Sequence, residues 1–102
     1  MPFAICNEIF QGWKLEDTMS FVAKTGYDAL EIAPFTLAQY VTDIDQATRR
    51  RIVAKAAEVD LEILGIHWVL VGPEGLHINH PDKAVRDRTA RYLVDLVHFC
   101  GD

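Results

Sequence analysis

The feature that most limits how this chain can fold is a change of hydrophobic period that occurs three times along it. Residues 3–10 form a short apolar-rich run of strand length, broken by Gln11-Gly12. From Leu15 the interval becomes helical: Leu15, Met19 and Val22 recur, and Glu16 and Asp17 occupy the first turn, where the helix dipole favours acids. Gly26 is the expected C-terminal stop. Residues 27–33 read as a second strand, ended by Pro34, and Thr42 is placed to cap a second helix with Asp43 and Asp45 close behind. Ile44, Ala47, Ile52, Ala56 and Val59 supply the buried stripe of that helix. Residues 61–71 read as a third strand, and Pro73 and Gly75 open a loop that runs to His80. Pro81 suits the first position of a third helix, which needs no amide donor there; Val85, Tyr92, Leu96 and Phe99 continue it and Gly101 ends it.

A β-α-β-α-β-α order at about 30 residues per unit implies parallel strands with helical crossovers. Two α/β architectures satisfy it: the first three βα units of a (β/α)8 TIM barrel, or a small open flavodoxin-like parallel sheet. A whole barrel takes roughly 250 residues, so the 102 residues here correspond to about three-eighths of one, and they stop where a fourth strand would begin. The expectation is a single partial domain, 1–102, forming the N-terminal part of a TIM barrel. No glycine-rich phosphate loop follows the first strand, so a nucleotide cofactor is not suggested.

Composition removes several classes. Half the residues are hydrophobic, and two Trp, three Tyr and five Phe are far more aromatic content than a disordered chain carries. The longest apolar run, 63–71, is interrupted by His67 and falls short of the roughly 20 residues of a membrane span. Met1-Pro2-Phe3-Ala4 lacks the basic and long apolar regions of a signal peptide, so a cytoplasmic location is expected. Ten basic against fifteen acidic residues give a net charge of −5, and the one basic run, Arg49-Arg50-Arg51, reads as a solvated helix face. No nucleic-acid partner is expected on that balance. Cys6 and Cys100 show no metal or redox spacing and read as free, buried thiols.

Strand parity then isolates three polar residues. With Phe3, Ile5 and Ile9, Leu30 and Ile32, and Leu64 and Ile66 turned towards the helices, the opposite face carries Ala4, Cys6 and Glu8, then Ala29, Glu31 and Ala33, then Ile63, Gly65 and His67. One late-strand polar residue per strand therefore shares a face: Glu8, Glu31 and His67. The C-terminal ends of parallel strands are where α/β folds place their sites. Two carboxylates and an imidazole there are suited to holding a divalent metal or to exchanging protons with a substrate carbon. Each residue taken singly also fits a structural hydrogen-bonding role. Trp13 and Trp68 fit either the apolar walls of a sugar subsite or end-of-barrel packing. Asn7 faces away from Glu8 and supports it from behind at most. The loop 72–80 exceeds the usual two to six residues of a βα connection, and its His77 and His80 are expected to be solvated.

Three segments carry a resemblance. Ile5-Cys6-Asn7-Glu8, Gly26-Tyr27-Asp28-Ala29-Leu30-Glu31-Ile32, and the stretch from Gly65-Ile66-His67-Trp68 through Gly72-Pro73-Glu74-Gly75-Leu76 resemble the xylose-isomerase-like sugar phosphate isomerases and epimerases. That resemblance implies a TIM barrel, a divalent metal (Mn, Mg, Co or Zn) and proton transfer next to a sugar carbonyl. It also implies that the principal metal ligands come from later strands, which these residues do not include, so that no metal ligand is assigned here. Glu31 and His67 are then the expected catalytic groups, with Glu8, Trp13 and Trp68 binding a small carbohydrate or sugar-phosphate substrate. The 102-residue chain by itself is expected to be inactive. The alternatives are a catalytically silent folding or assembly unit, self-associating through exposed sheet edges, and an endonuclease-related hydrolase.

Overall fold

A computed structural model describes residues 1–102. The elements run β1 (Ala4–Cys6), α1 (Leu15–Thr25), β2 (Ala29–Ile32), α2 (Gln46–Glu58), β3 (Glu62–Ile66) and α3 (Lys83–Gly101). The strands form one parallel sheet in the order β1-β2-β3. The chain is thus an α/β fold of three helices and a small three-stranded parallel sheet, as the alternation of periods requires, and the open sheet is compatible with the flavodoxin-like alternative. No helix is long and apolar enough to cross a membrane.

Every strand is shorter than its apolar run. β1 gives way after Cys6 to a 3-10 turn over Asn7–Ile9, so Glu8 lies in a turn and Ile9 is exposed rather than packed against a helix. β3 ends at Ile66, and Trp68 breaks extended geometry with a positive φ of 56°. The helix starts also shift. Thr42 sits in a 3-10 turn, and Asp45 is the cap of α2, its Oδ1 accepting from the Thr48 amide at 2.7 Å. An acid three residues ahead of a free amide accepts from it with a full charge, which Thr42 has no means to match. In α3 the cap is Asp82, accepting from the Ala84 amide, so Pro81 lies just outside the helix. α1 behaves as read, and Gly26 ends it in the left-handed region at φ 107°, a conformation that suits a residue without Cβ.

Two apolar clusters hold the layers together. Leu15, Met19 and Val22 of α1 meet Leu30 and Ile32 of β2 and Ile52 and Ala56 of α2, with Leu61 closing the end. The second cluster joins Val41 and Ile44 to Tyr92 and Leu96 of α3. Ile44 therefore belongs to the α3 layer and not to the α2 stripe, while Ala47 is exposed.

The expected parity fails at one point in β3. Leu30 pairs with Ile63, but Glu31 pairs with Gly65, so Leu64 is an extra residue in a β-bulge. Ile63 consequently faces the helices with Leu30 and packs on the first cluster, whereas Leu64 is 57% exposed. Beyond the bulge the expected faces resume at Gly65 and Ile66. The basic run also divides. Arg50 and Arg51 are exposed, but Arg49 donates to the carbonyls of Ile44 and Val41, pairs with Asp102 and lies 5.1 Å above the Phe99 ring. It is a tie between α2, the turn before it and the end of α3, not a solvated face. Both cysteines are free; Cys6 is half-buried and Cys100 is exposed rather than buried.

Candidate functional site

The sheet has one face covered by α1 and α2 and one that carries mainly small or polar side chains: Ala4 and Cys6, Ala29 and Glu31, and Gly65. On that face the C-terminal ends of β2 and β3 bring two expected residues together. The His67 amide donates to the Ile32 carbonyl at 2.9 Å, extending the β2–β3 ladder one residue past the strand. Because Glu31 pairs with Gly65, His67 stands two residues further along the same face, and its Nδ1 is 3.4 Å from Glu31 Oε2. The side chains are 40% and 36% exposed, so the pair is open to a small molecule.

A carboxylate beside Nδ1 favours the tautomer with its proton on that nitrogen, leaving the Nε2 lone pair available. Trp68 lies nearly parallel to the imidazole, with ring centroids 5.9 Å apart, and Phe35 stacks against Trp68 at 6.3 Å. The positive φ of Trp68 is rare for a bulky residue and costs on the order of 1–3 kcal/mol. Such strain concentrates at functional sites, and here it sets the indole beside the imidazole.

Beside Trp68 is a cleft of about 640 Å3 whose walls include Glu8, Trp13 and Trp68 but neither Glu31 nor His67. The three residues expected to bind substrate therefore share one cavity, although Glu8 reaches it from a 3-10 turn and not by strand alternation. Trp13 is held by a tilted contact with Phe10 at 5.2 Å and an edge-on contact with Phe21 at 5.5 Å, and it remains 50% exposed. Gln11, Phe35 and Thr36 also line the cleft. These three were not read from the sequence; their one signal is their position directly after the first two strands, where βα loops converge.

Glu8 does not join Glu31 and His67, and no three His, Cys, Asp or Glu side chains come together as a metal-binding group. Cys6 is paired with Glu31 across the sheet. Burial pushes its thiol up, and the charges of Glu8 and Glu31 push it the same way against opposing backbone hydrogen bonds.

Asn7 is more than a support for Glu8. It is buried, its Oδ1 accepts from the Ala33 amide at 2.7 Å, and its Nδ2 donates to Thr36 Oγ1 at 2.9 Å. Thr36 in turn donates to the Ala33 carbonyl at 2.6 Å. One side chain thereby fixes the end of β1 to the turn after β2, where the cleft lies. His77 and His80 stay in their own loop: Nδ1 of His77 accepts from the Asn79 amide and Nδ1 of His80 from the Asp82 amide, each at 3.0 Å.

Comparison with protein-family models, with curated proteins and with solved structures gave no match.

Proposed function

We propose that this chain is the N-terminal part of a sugar or sugar-phosphate isomerase or epimerase of the xylose-isomerase-like kind, acting by proton transfer next to a carbonyl. The observation that carries the reading is the Glu31–His67 pair, an open carboxylate and imidazole 3.4 Å apart at the C-terminal ends of neighbouring parallel strands. His67 Nε2 would exchange the proton, Glu31 would hold the ring and balance the imidazolium charge, and Trp13 and Trp68 would offer apolar faces to a sugar ring. Glu8 and Gln11 would supply hydrogen-bonding groups for hydroxyls in the cleft beside Trp68.

The strand order supports the barrel reading. Barrel strands follow one another in sequence, as these three do. A Rossmann sheet shares the run of three, but its first turn needs a glycine-rich loop where this chain has Asn7-Glu8-Ile9-Phe10-Gln11-Gly12. The divalent metal that the resemblance implies does not fit the donors present here, since Glu31 and His67 make a pair without a third ligand.

The test is deuterium uptake from D2O into the carbon next to the carbonyl of an aldose or ketose substrate, followed with the complete protein. Glu31→Gln and His67→Gln are each expected to lower the exchange rate by about 10²–10⁴-fold with an unchanged unfolding midpoint. Exchange within twofold of the parent in both variants would remove the pair from the chemistry.

A second reading, an assembly unit, is favoured by the unpaired outer edges of β1 and β3 and by exposed Phe3, Leu64, Val94 and Val97. It requires concentration-dependent self-association in light scattering, and a monodisperse monomer would end it.

A further inference from the structure

The cleft beside Trp68 bears on a choice that the reading above leaves open, between a free sugar and a sugar phosphate. No lysine, arginine or histidine lines it, and Glu8 is its one charged group. Glu8 forms no ion pair, so no neighbouring cation neutralises its carboxylate. The start of α1 borders the same space through Leu15, and the free amides of a helix start ordinarily attract phosphate. Here Glu16 and Asp17 occupy that first turn and already answer the helix dipole. Lys14, which precedes the turn, is exposed and forms no part of the lining. Trp68 joins the cleft to the His67 ring, and there Glu31 adds another carboxylate. Phosphate recognition calls for cations or unclaimed amides, and this cleft presents negative charge instead.

The groups that remain suit an uncharged polyhydroxy ring. Asn7 and Thr36 are spent on each other and on Ala33. The Glu8 carboxylate and the Gln11 amide are left, the first an acceptor for two hydroxyls and the second both donor and acceptor. Trp13 and Trp68, the two tryptophans of the chain, are 50% and 54% exposed and line the same space. An indole face carries negative charge density, which attracts the C–H face of a sugar ring and repels an anion. The volume of about 640 Å3 is within the range of small-molecule sites.

We infer that the substrate is an unphosphorylated monosaccharide, its ring against Trp13 and Trp68 and its hydroxyls on Glu8 and Gln11, with the Glu8 carboxylate turning a phosphate ester away. This inference rests on the isomerase or epimerase reading proposed above.

The experiment follows the indole N–H resonances of Trp13 and Trp68 in the complete protein during titration with matched pairs of ligands. These are five- and six-carbon aldoses and ketoses, each free and as its terminal phosphate. At least one free sugar is expected to give saturable shifts of both indoles. Its phosphate should bind at least about tenfold more weakly, as a like charge close by requires. Glu8→Gln removes that charge and should bring the two affinities to within about threefold of each other. Trp13→Ala should abolish the shift of the Trp68 indole, and Glu8→Gln carries the test where Trp13→Ala lowers the unfolding midpoint. A phosphate that binds as tightly as its free sugar, a ratio unmoved by Glu8→Gln, or no saturable indole shift with any free sugar would overturn the inference. Failure of the catalytic reading shows elsewhere, as deuterium exchange unaltered by Glu31→Gln and His67→Gln while the preference for the free sugar stands.

Discussion

Leu30 and Glu31 are neighbours in one strand, and they face opposite worlds. Leu30 is fully buried between α1 and α2, while Glu31 stands half-exposed on a face of small residues and pairs only with His67. On the helix side the side chains are large and fill space; on the other they are small, so that the few polar groups present remain accessible. The same backbone thus carries the packed core on one face and accessible polar groups on the other. A change that acts on one face is expected to leave the other largely unaltered.

The comparison can be broken most directly at Leu30. Leu30→Ala leaves a cavity among α1, β2 and α2 and should lower stability by about 2–5 kcal/mol in urea denaturation. Asn7→Ala comes next. It orphans the buried Ala33 amide and should cost about 1–3 kcal/mol, and it should also loosen the cleft. Glu31→Gln should change stability by no more than about 0.5 kcal/mol, in contrast to the loss of proton exchange expected if it acts as proposed. Equal destabilisation by Leu30→Ala and Glu31→Gln would abolish the distinction between the faces.

Two smaller effects sharpen it through ionisation. Hydrogen bonds from Thr48 hold the Asp45 carboxyl below its ordinary range. A folded-state value lower than the unfolded one stabilises the fold above the unfolded value, about 4, and that contribution is lost as pH falls from there through the folded value. Asp45→Ala should remove this part of the acid dependence of the unfolding midpoint. Partial desolvation raises both thiols, that of half-buried Cys6 and that of Cys100, whose residue is exposed overall, so that alkylation by iodoacetamide should be slow at neutral pH and should accelerate only above the pH at which a free thiol reacts. Rapid alkylation of Cys6 at pH 7 would mean that the small-residue face is more open to water than its half-buried position indicates.

Much of this was legible in the residues themselves. Period changes place all six main elements, because a helical stripe and a strand are distinguished by spacing alone over ten or so residues. Glu31 and His67 were legible for the same reason, since alternation fixes a face wherever a strand is regular. Ile63 and Leu64 were not. A bulge inserts one residue without any change in composition, and parity read through it inverts. The cap of α2 was ambiguous because Thr42, Asp43 and Asp45 all have side chains able to accept from an amide, and only the start of the hydrogen-bonded turn decides among them. Phe35 and Thr36 escaped notice because a loop has no period from which to infer direction. Arg49 looked like its neighbours Arg50 and Arg51, and it differs from them only in what the fold brings near it.

The Asn7 bridge has a kinetic consequence. The Ala33 amide is held by a side chain 26 residues earlier in the chain and not by a neighbouring strand. Its exchange with solvent deuterium therefore requires β1 and the turn after β2 to part, and sheet fraying alone does not release it. The protection of that single proton, compared with the Leu30 and Ile32 amides, is a clock for how often the two loops that frame the cleft separate.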